Sequence, residues 1–278
     1  MEFKREKFVD EDGRLFFTGL KEGDVAPTVL MPGDLARSKI ISECFKTAEY
    51  KGQRRTYVTY TGETENGTPI TVCSSGMGPL AVSTVAEELS QIGMKNLIRV
   101  GTGAALLKDY KPGTIIIATG CVRGDGCSYE YVPPEFPAIA DPFIVEALVR
   151  ACREFGEEPE VGLYRAHDSY YRETSTAMVD TYERMKPWVD AGVKMIEKES
   201  ATLFTVAHRL GIRAGSICVS HLSMIEDTVY YEGPDSRLAY PEAFEEGFME
   251  ERILLASKIS VRATEILEEM RKAGEIYE

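Results

Sequence analysis

Two carboxylates, Glu197 and Glu199, interrupt an otherwise apolar run between Met195 and Ala207. Alternate side chains of an extended chain share a face, so the two carboxylates are predicted to lie on one face and Lys198 on the other. A buried carboxylate is costly unless a cation or a hydrogen-bond donor compensates it. The pair therefore indicates a candidate site for a polar ligand, although charge alternation alone favours an edge strand whose charges face water.

Arginines in apolar or glycine-rich surroundings are the matching candidates for holding an anion. Gly33 ends a short apolar strand, and Arg37 lies about one turn into the helix predicted after it. Glycine lets the backbone approach a ligand, and the first turn of a helix offers unpaired N–H groups to an anion. Arg99 lies within the apolar strand 96–100, with Thr102 just beyond it. A buried arginine requires a fixed anionic partner, either a protein carboxylate or a ligand.

Composition excludes several classes of protein. The net charge of −13 argues against general binding to nucleic acid or to an anionic membrane, since both favour a basic surface. No stretch approaches the ~18 apolar residues of a membrane span, and the N-terminus lacks the apolar core of a signal peptide. With 44% hydrophobic and 28% charged residues, the chain of 278 residues has the composition of an ordinary soluble protein, and we expect it in the cytoplasm.

The cysteines and histidines show no metal-site spacing. The six cysteines form no CxxC pair and mostly lie in apolar runs, as is typical of small core residues. His167, His208 and His221 are too scattered in the sequence to suggest a metal cluster. We therefore expect neither a disulfide framework nor a metal site.

Hydrophobic patterning predicts a single α/β domain over residues 1–278, with residues 1–15 as a mobile or interface N-terminal arm. Strands are predicted at 27–31, 57–61, 70–73, 96–100, 114–118, 161–166 and 214–219, and helices at 35–43, 80–92, 144–155, 200–210 and from 248 to 270. Asn66-Gly67 predicts one early hairpin. The alternation of strands and helices otherwise predicts a largely parallel sheet.

Gly101-Thr-Gly103 suggests a dinucleotide-binding turn, but its context disfavours that interpretation. The fingerprint requires a small residue where Leu106 stands. The segment also lacks a clean following helix with an acidic partner. A different kind of anion site is therefore favoured.

Six motifs, in order between about Phe17 and Met224, resemble those of the trimeric/hexameric nucleoside phosphorylase family, most closely its uridine phosphorylase branch. They are Pro32-Gly-Asp-x-x-Arg37, Gly76-Met-Gly78, Arg99-Val-Gly-Thr102, Val122-Arg-Gly-Asp-Gly126, Glu135-Phe-Pro-Ala-Ile-Ala-Asp141 and Glu197-x-Glu-Ser-Ala-Thr-Leu203. The resemblance implies a central mixed, partly barrel-like β-sheet flanked by helices. It also implies exchange of base for phosphate on a ribonucleoside, nominally uridine, with inorganic phosphate as co-substrate and no other cofactor.

The resemblance further implies roles for individual residues. The phosphate-binding residues would be Gly33, Arg37, Arg99, Thr102 and Arg55, the last supplied by a neighbouring subunit, with Arg54 as the alternative. The ribose-binding residues would be Glu197, Lys198 and Glu199, the base-binding residues Gly103, Tyr170 and His221, and the catalytic residues Arg99 and Glu199. An arginine shared between subunits implies a homo-oligomer, at least a dimer and, by resemblance, a hexamer.

Lys198 departs from the family pattern, which usually has methionine between the two glutamates. Its side chain either extends outward over apolar surface or contacts Glu197, a phosphate or an acidic group on an unusual substrate. His221 stands where relatives carry an aspartate or an Asn-Arg pair; it either donates to a base or is structural. Tyr170 either stacks near the sugar and base or packs in the core.

Other base and sugar contacts of the family are also changed. Thr174 and Thr176 stand where the uridine branch has a glutamine and an arginine that read uracil, and Arg172 is a possible substitute. Phe17 replaces a histidine that contacts the ribose 5′-hydroxyl. Two alternatives to phosphorolysis stay open: a nucleosidase that uses water, and a nucleoside-binding protein without catalysis.

Overall fold

The computed structural model describes residues 7–106, 112–173, 181–223 and 246–276. Its strands are β1 (Thr28–Pro32), β2 (Thr47–Arg54), β3 (Tyr57–Glu63), β4 (Pro69–Cys73), β5 (Asn96–Ala105), β6 (Ile115–Gly124), β7 (Ala138–Ile139), β8 (Glu160–His167), β9 (Met195–Glu197) and β10 (Arg213–Ser223). Its helices are α1 (Leu35–Ser42), α2 (Pro79–Ser90), α3 (Cys127–Tyr131), α4 (Pro142–Glu154), α5 (Thr181–Asp190), α6 (Ser200–Leu210) and α7 (Phe248–Lys272), with a 3₁₀ turn at Tyr170–Glu173.

The strands form one mixed sheet that is closed at one end. β5 pairs with β10, β10 with β6, β6 with β8, β8 with β9, and β9 with β5 again. From β5 an open arm continues through β1, β4, β3 and β2, and β7 pairs with β6. This topology confirms the single α/β domain with a mixed, partly barrel-like sheet.

The expectation of a largely parallel sheet is wrong. Parallel and antiparallel pairings are equally frequent among the described strands. β2 was not predicted, because its sequence alternates polar residues and both of its faces are largely exposed. It adds a second hairpin with β3, and the short β9 runs antiparallel to β5.

Local sequence explains where the principal helices begin and end. Pro79 and Pro142 stand in the first turns of α2 and α4, where the missing N–H costs nothing. Asp141 caps α4 by accepting hydrogen bonds from the Phe143 and Ile144 amides. Gly211 ends α6 in the left-handed conformation, with φ of 67°.

Helices cover both sides of the sheet and bury two apolar layers. One layer contains α2 and α6 residues such as Leu89 and Phe204, and the other contains α4 and α7 residues such as Leu148 and Ile266. None of the described helices is long and apolar enough to cross a membrane. The layers leave the carboxyl ends of the central strands as the place where polar side chains gather.

The N-terminal arm is partly described and is anchored to the domain. Val9 and Leu15 form an isolated antiparallel bridge, and Leu15 is fully buried. The buried carboxylate of Glu88 accepts hydrogen bonds from the Phe17 and Thr18 amides at 2.8 and 2.7 Å. Residues 1–6 lie outside the described residues. An interface role for the arm stays a prediction.

Candidate active site

A cleft of about 660 Å³ opens at the carboxyl ends of β1, β5, β8, β9 and β10. Strand ends of α/β sheets are the usual position of ligand sites. The lining includes every residue predicted to bind phosphate, ribose or base except Arg55: Gly33, Arg37, Arg99, Thr102, Gly103, Tyr170, Glu197, Lys198, Glu199 and His221. Residues separated by more than 180 positions in the chain are thus brought to one surface.

Arg99 is held by both carboxylates of the acidic pair. Its Nε donates to Glu197 Oε2 at 3.0 Å, and its Nη2 lies 2.5 Å from Glu199 Oε2. All three residues are buried, so the interpretation of the pair as part of an exposed edge strand is wrong. Burial would lower the pKa of Arg99, but the charges of Glu199 and Glu197 overcome it and raise that pKa. Arg99 is therefore a permanent buried cation.

The third nitrogen of Arg99 lies beside Gly33 in the wall of the cleft. Nη1 is buried and has no hydrogen-bond acceptor among the described residues. A Cβ on Gly33 would lie 3.7 Å from that nitrogen, so glycine keeps the space beside it open. A buried N–H group without an acceptor is costly. The guanidinium is therefore oriented to receive an anion from the cleft.

Arg37 adds a second positive charge to the same wall. Burial lowers the pKa of Arg37; Asp34 partly offsets this, and the positive charge of Arg99 adds to it. Two neighbouring guanidinium groups repel each other, and an anion bound between them would relieve the repulsion. The N-terminus of α1 offers fewer backbone N–H groups to an anion than expected, because the Asp34 side chain already accepts the Ala36 N–H at 2.9 Å.

Backbone groups fix the orientation of both glutamates. Glu197 accepts hydrogen bonds from the amides of Glu199 and Ser200, at 2.9 and 2.8 Å. Glu199 Oε1 accepts the Gly78 N–H at 2.8 Å, which connects the acidic segment to the Gly76-Met-Gly78 turn. Burial raises the pKa of Glu197, with Arg99 opposing the shift. The carboxylates are thus held rigidly before any ligand binds.

Lys198 does not lie where alternation along a strand would put it. β9 ends at Glu197, and Glu199 already has helical backbone angles, with φ −118° and ψ −26°, so the two-residue repeat is broken. Lys198 lines the cleft, and its Nζ lies 2.6 Å from His167 Nε2 and 5.4 Å from the Tyr170 ring centroid. The outward orientation is therefore wrong, and so is the core-packing alternative for Tyr170, which is 46% exposed.

His221 and Gly103 line the floor of the cleft. His221 lies at a bulge of β10 opposite the end of β5. Burial lowers the pKa of His221, and the charge of Arg37 lowers it further. Its Nδ1 is buried and has no partner among the described residues. Gly103 has no room for a side chain, because a Cβ would lie 2.7 Å from the Ile196 carbonyl oxygen.

Arg55 lies outside the cleft of its own chain. It occupies the turn between β2 and β3 with φ of 55°, is exposed, and lies over the Phe17 ring at 5.5 Å. Arg54 contacts the neighbouring Phe16 ring in the same way. Next to them, Thr56 does line the cleft. Both arginines are therefore available on the surface beside the rim.

His167 is the main cleft residue that has no predicted role. The sequence placed it at the end of a strand, directly before Asp168-Ser-Tyr-Tyr171, and this position at a strand end was the available signal. Thr174, Thr176 and Met224 lie outside the described residues. Gly101 and Gly103 lie within β5, which agrees with the rejection of a dinucleotide-binding turn.

Comparisons with known proteins agree with this geometry. A sequence model of the phosphorylase superfamily matches residues 27–235. The chain is 34% identical over 223 residues to a guanosine phosphorylase of Halorubrum lacusprofundi, covering 80% of this chain and 88% of the relative. It is 36% identical over 201 residues to a uridine phosphorylase of Haemophilus influenzae, covering 69% and 79%. The solved uridine phosphorylase of Vibrio fischeri ES114 matches with a TM-score of 0.79 at 25% identity, covering 92% and 98%.

The fold and the cleft, with these matches, define the class of the protein: the chain belongs to the phosphorylase superfamily. Within it, the chain belongs to the uridine phosphorylase branch of the nucleoside phosphorylase family and is a pentosyltransferase.

Proposed function

We propose that this protein catalyses the reversible phosphorolysis of a ribonucleoside, nominally uridine, to free base and ribose 1-phosphate. The observation that carries the proposal is the buried Nη1 of Arg99, which has no partner among the described residues and faces the space that Gly33 leaves open. A phosphate oxygen satisfies this donor. The nucleosidase and binding-protein alternatives have no support from the relatives described above, which are phosphorylases.

The phosphate would bind between Arg37 and Arg99, against Gly33 and Thr102. Arginine holds phosphate through fixed, planar N–H groups and so orients its oxygen toward the sugar. In the reaction, a phosphate oxygen bonds to the anomeric carbon as the glycosidic C–N bond breaks, and the electron pair of that bond leaves with the base. The sugar passes through an oxocarbenium-like state, which the nearby phosphate dianion stabilises.

Glu199 would hold the ribose by its 2′- and 3′-hydroxyls. Each carboxylate oxygen has two acceptor sites, so Glu199 can keep its bonds to Arg99 and the Gly78 amide and still accept from the sugar. Glu197 would position Arg99 and the start of α6 beside it. The sugar would then be fixed between the nucleophile and the base.

Inorganic phosphate is the only co-substrate in this proposal, because the arginines supply the positive charge that holds the attacking phosphate while the ribosyl group is transferred to it. We expect base release to depend on phosphate and to persist after exhaustive dialysis against EDTA. Turnover in phosphate-free buffer equal to that with phosphate would instead identify a nucleosidase. A cytoplasmic location completes the proposal.

Guanosine is the second candidate substrate, because a guanosine phosphorylase is 34% identical to this chain. The two candidates are separated by assaying base release from uridine, cytidine, guanosine, inosine and adenosine with saturating phosphate. A preference of at least about tenfold in kcat/KM for uridine would support the nominal assignment. A preference of that size for guanosine would replace it.

We also propose that Arg55 reaches the phosphate of a neighbouring subunit, in a homodimer that assembles further into a hexamer. Its exposure, its left-handed backbone and its position beside Thr56 support this role. Exposed Phe8, Phe16 and Phe17 lie on the same surface and would be covered by the second subunit.

Complementation tests the shared arginine. Arg55→Ala and Arg99→Ala are expected to be nearly inactive alone, whereas co-expression restores activity, since mixed dimers contain one site with both arginines intact. Arg54→Ala serves as the matched control and should stay active. If instead Arg54→Ala is inactive alone and only its co-expression with Arg99→Ala restores activity, the shared arginine is Arg54. A monomer by light scattering would contradict sharing.

A further inference from the structure

Asp125, in the motif Val122-Arg-Gly-Asp-Gly126, is a buried carboxylate that does not line the cleft. The motif spans the end of β6 and the turn before α3. Asp125 is 1% exposed, and its carboxylate accepts hydrogen bonds from the Ser128 N–H at 2.8 Å, the Ser128 hydroxyl at 2.9 Å and the Thr202 hydroxyl at 2.5 Å. A buried carboxylate requires such donors. Asp125 therefore connects the start of α3 to α6.

Thr202 extends this connection to Glu199. It lies in the first turn of α6, three residues after Glu199, which directly precedes the helix. The amides of Glu199 and Ser200 at the same helix start donate to Glu197 at 2.9 and 2.8 Å. One stretch of chain thus carries the carboxylate proposed to hold the ribose, the amides that fix Glu197, and the hydroxyl that binds Asp125. Because a hydrogen-bonded helical turn moves as a unit, a shift at Thr202 displaces Glu199 as well.

Arg123 anchors Asp125 from the other side. Its Nε donates to the Ser128 hydroxyl at 3.0 Å, and that hydroxyl donates to Asp125, so one hydroxyl bridges the guanidinium and the carboxylate. Nη1 donates to the carbonyl oxygens of Pro133 and Phe136 at 2.6 and 2.7 Å, and Nη2 to that of Ser128 at 2.9 Å. Arg123 is buried, and each nitrogen of its guanidinium has a protein acceptor. The network that ends at Asp125 is therefore fixed before any ligand binds.

A local role at α3 explains only part of this network. The bond from the Ser128 N–H resembles a helix cap and serves the turn before α3. The bond from Thr202 joins positions 77 apart in the chain, and the start of α3 does not need it. The neighbouring Gly126 N–H donates to the Asp168 carboxylate at 2.8 Å, directly after the end of β8. Residues 124–126 therefore connect α6 to the end of β8, two elements that border the cleft.

We infer that Asp125 is a positioning residue for Glu199: its hydrogen bond with Thr202 sets the place of the first turn of α6, and so the place where the Glu199 carboxylate meets the ribose 2′- and 3′-hydroxyls. Asp125 itself touches no substrate. The inference rests on the proposed phosphorolysis and adds to it a residue that acts through Glu199. A bond to a carboxylate is stronger than one between neutral groups. A misplacement of about 1 Å at a group that holds the substrate can lower the rate by about 10²-fold.

Removal of the Thr202 hydroxyl tests this role while the shape of the side chain is kept. Thr202→Val should lower kcat/KM about tenfold for uridine but less than about threefold for 2′-deoxyuridine, because the deoxynucleoside makes fewer bonds to Glu199. Thr202→Ser keeps the hydroxyl and should stay within about twofold of the wild type for both substrates. If guanosine is the better substrate, guanosine and 2′-deoxyguanosine replace this pair.

Thr205→Val is the matched control. Thr205 lies on the same helix and is fully buried, and its hydroxyl has no hydrogen-bond partner among the described residues. The same exchange of atoms at this position should leave kcat/KM for both nucleosides within about twofold of the wild type. Asp125→Asn changes the other partner of the bond. Its amide oxygen still accepts from Thr202 but without the charge, so the loss that is selective for the ribonucleoside should recur at a smaller size.

Combination with Glu199→Gln separates positioning from a general loss of structure. If Asp125 acts through Glu199, Thr202→Val should add less than about twofold to the loss that Glu199→Gln already causes. Three results would overturn the inference: a fall in kcat/KM that is no larger for uridine than for 2′-deoxyuridine, an effect that multiplies in full with that of Glu199→Gln, or the same behaviour in Thr205→Val. None of them touches the proposed phosphorolysis. That proposal fails on a different observation, namely that the wild-type protein releases no base from any nucleoside when phosphate is present.

Discussion

The two ends of the cleft are built on different physical principles. At the phosphate end, formed by Gly33, Arg37 and Arg99, the central Arg99 is 5% exposed and its guanidinium is held by Glu197 and Glu199. At the base end, formed by His167, Tyr170 and Lys198, Tyr170 is 46% exposed, and Lys198 Nζ lies 2.6 Å from His167 Nε2.

The difference separates what all substrates share from what distinguishes them. Phosphate and ribose are the same in each candidate reaction, so a rigid, fully buried network costs no versatility. The base varies, and the exposed Tyr170 on the 3₁₀ turn and the half-buried Lys198 at the β9–α6 junction can change without loss of the core. Loss of the buried guanidinium at the phosphate end should therefore affect folding and turnover together, whereas variants at the base end should affect selectivity.

The largest effect is expected for Arg99→Ala. Loss of the guanidinium leaves Glu197 and Glu199 buried without a counter-charge, which costs roughly 3–5 kcal/mol of folding free energy. We expect kcat/KM to fall by at least about 10³-fold with loss of phosphate dependence. Arg99→Lys keeps the positive charge but lacks the planar guanidinium. It should be more stable than Arg99→Ala, with kcat/KM still well below that of the wild type. Wild-type kinetics in either variant would contradict the site.

Glu199→Gln should lower kcat/KM by about 10²-fold while the protein stays folded. The glutamine carbonyl can still accept the Gly78 N–H, but the charge that strengthens the bonds to the ribose hydroxyls is lost. Assays with uridine and 2′-deoxyuridine check the cause. The deoxynucleoside lacks one of the hydroxyls, so the variant's fall in kcat/KM should be smaller for 2′-deoxyuridine than for uridine. An identical fall for both substrates would contradict a contact between Glu199 and the sugar.

Gly33→Ala should raise the KM for phosphate by about tenfold and leave the melting temperature nearly unchanged. The added Cβ would lie 3.4 Å from the Gly76 carbonyl oxygen and 3.7 Å from Arg99 Nη1, and so it would narrow the space for the anion without a backbone clash. Gly126→Ala is the control, since Gly126 does not line the cleft. An unchanged KM for phosphate would contradict phosphate binding beside Gly33.

The smallest effect concerns His221 and pH. Because burial and Arg37 lower the pKa of His221 from 6.5, the unfolded chain binds a proton below that pH that the folded protein does not. Stability from this residue is therefore lost as pH falls below about 6.5. His221→Gln should flatten the decline in melting temperature between about pH 8 and pH 5. A parallel decline in both proteins would show that His221 does not contribute.

Much of the fold and of the phosphate end could be predicted from local patterns. A strand-then-glycine segment placed Gly33 directly after β1, whereas the strand expected to end before Gly101 continues to Ala105, so Arg99 and Thr102 lie within it. An arginine in an apolar strand required an anionic partner, which proved to be the acidic pair. β2 was missed because its exposed residues have no apolar period. Lys198 was misplaced because the strand ends at Glu197, two residues before the end of the predicted alternation at Glu199.

The sequence by itself determined which chemical groups are available: a glycine and two arginines for an anion, two carboxylates for a sugar, and a lysine in an unusual position. Only the tertiary structure decided their partners. Closure of the sheet through β9 and β10 brings Arg99 to Glu197 and leaves one buried guanidinium nitrogen without a partner among the described residues. The same closure brings His167 to Lys198, a contact between strand ends that no local pattern encodes, because it depends on which strands become neighbours.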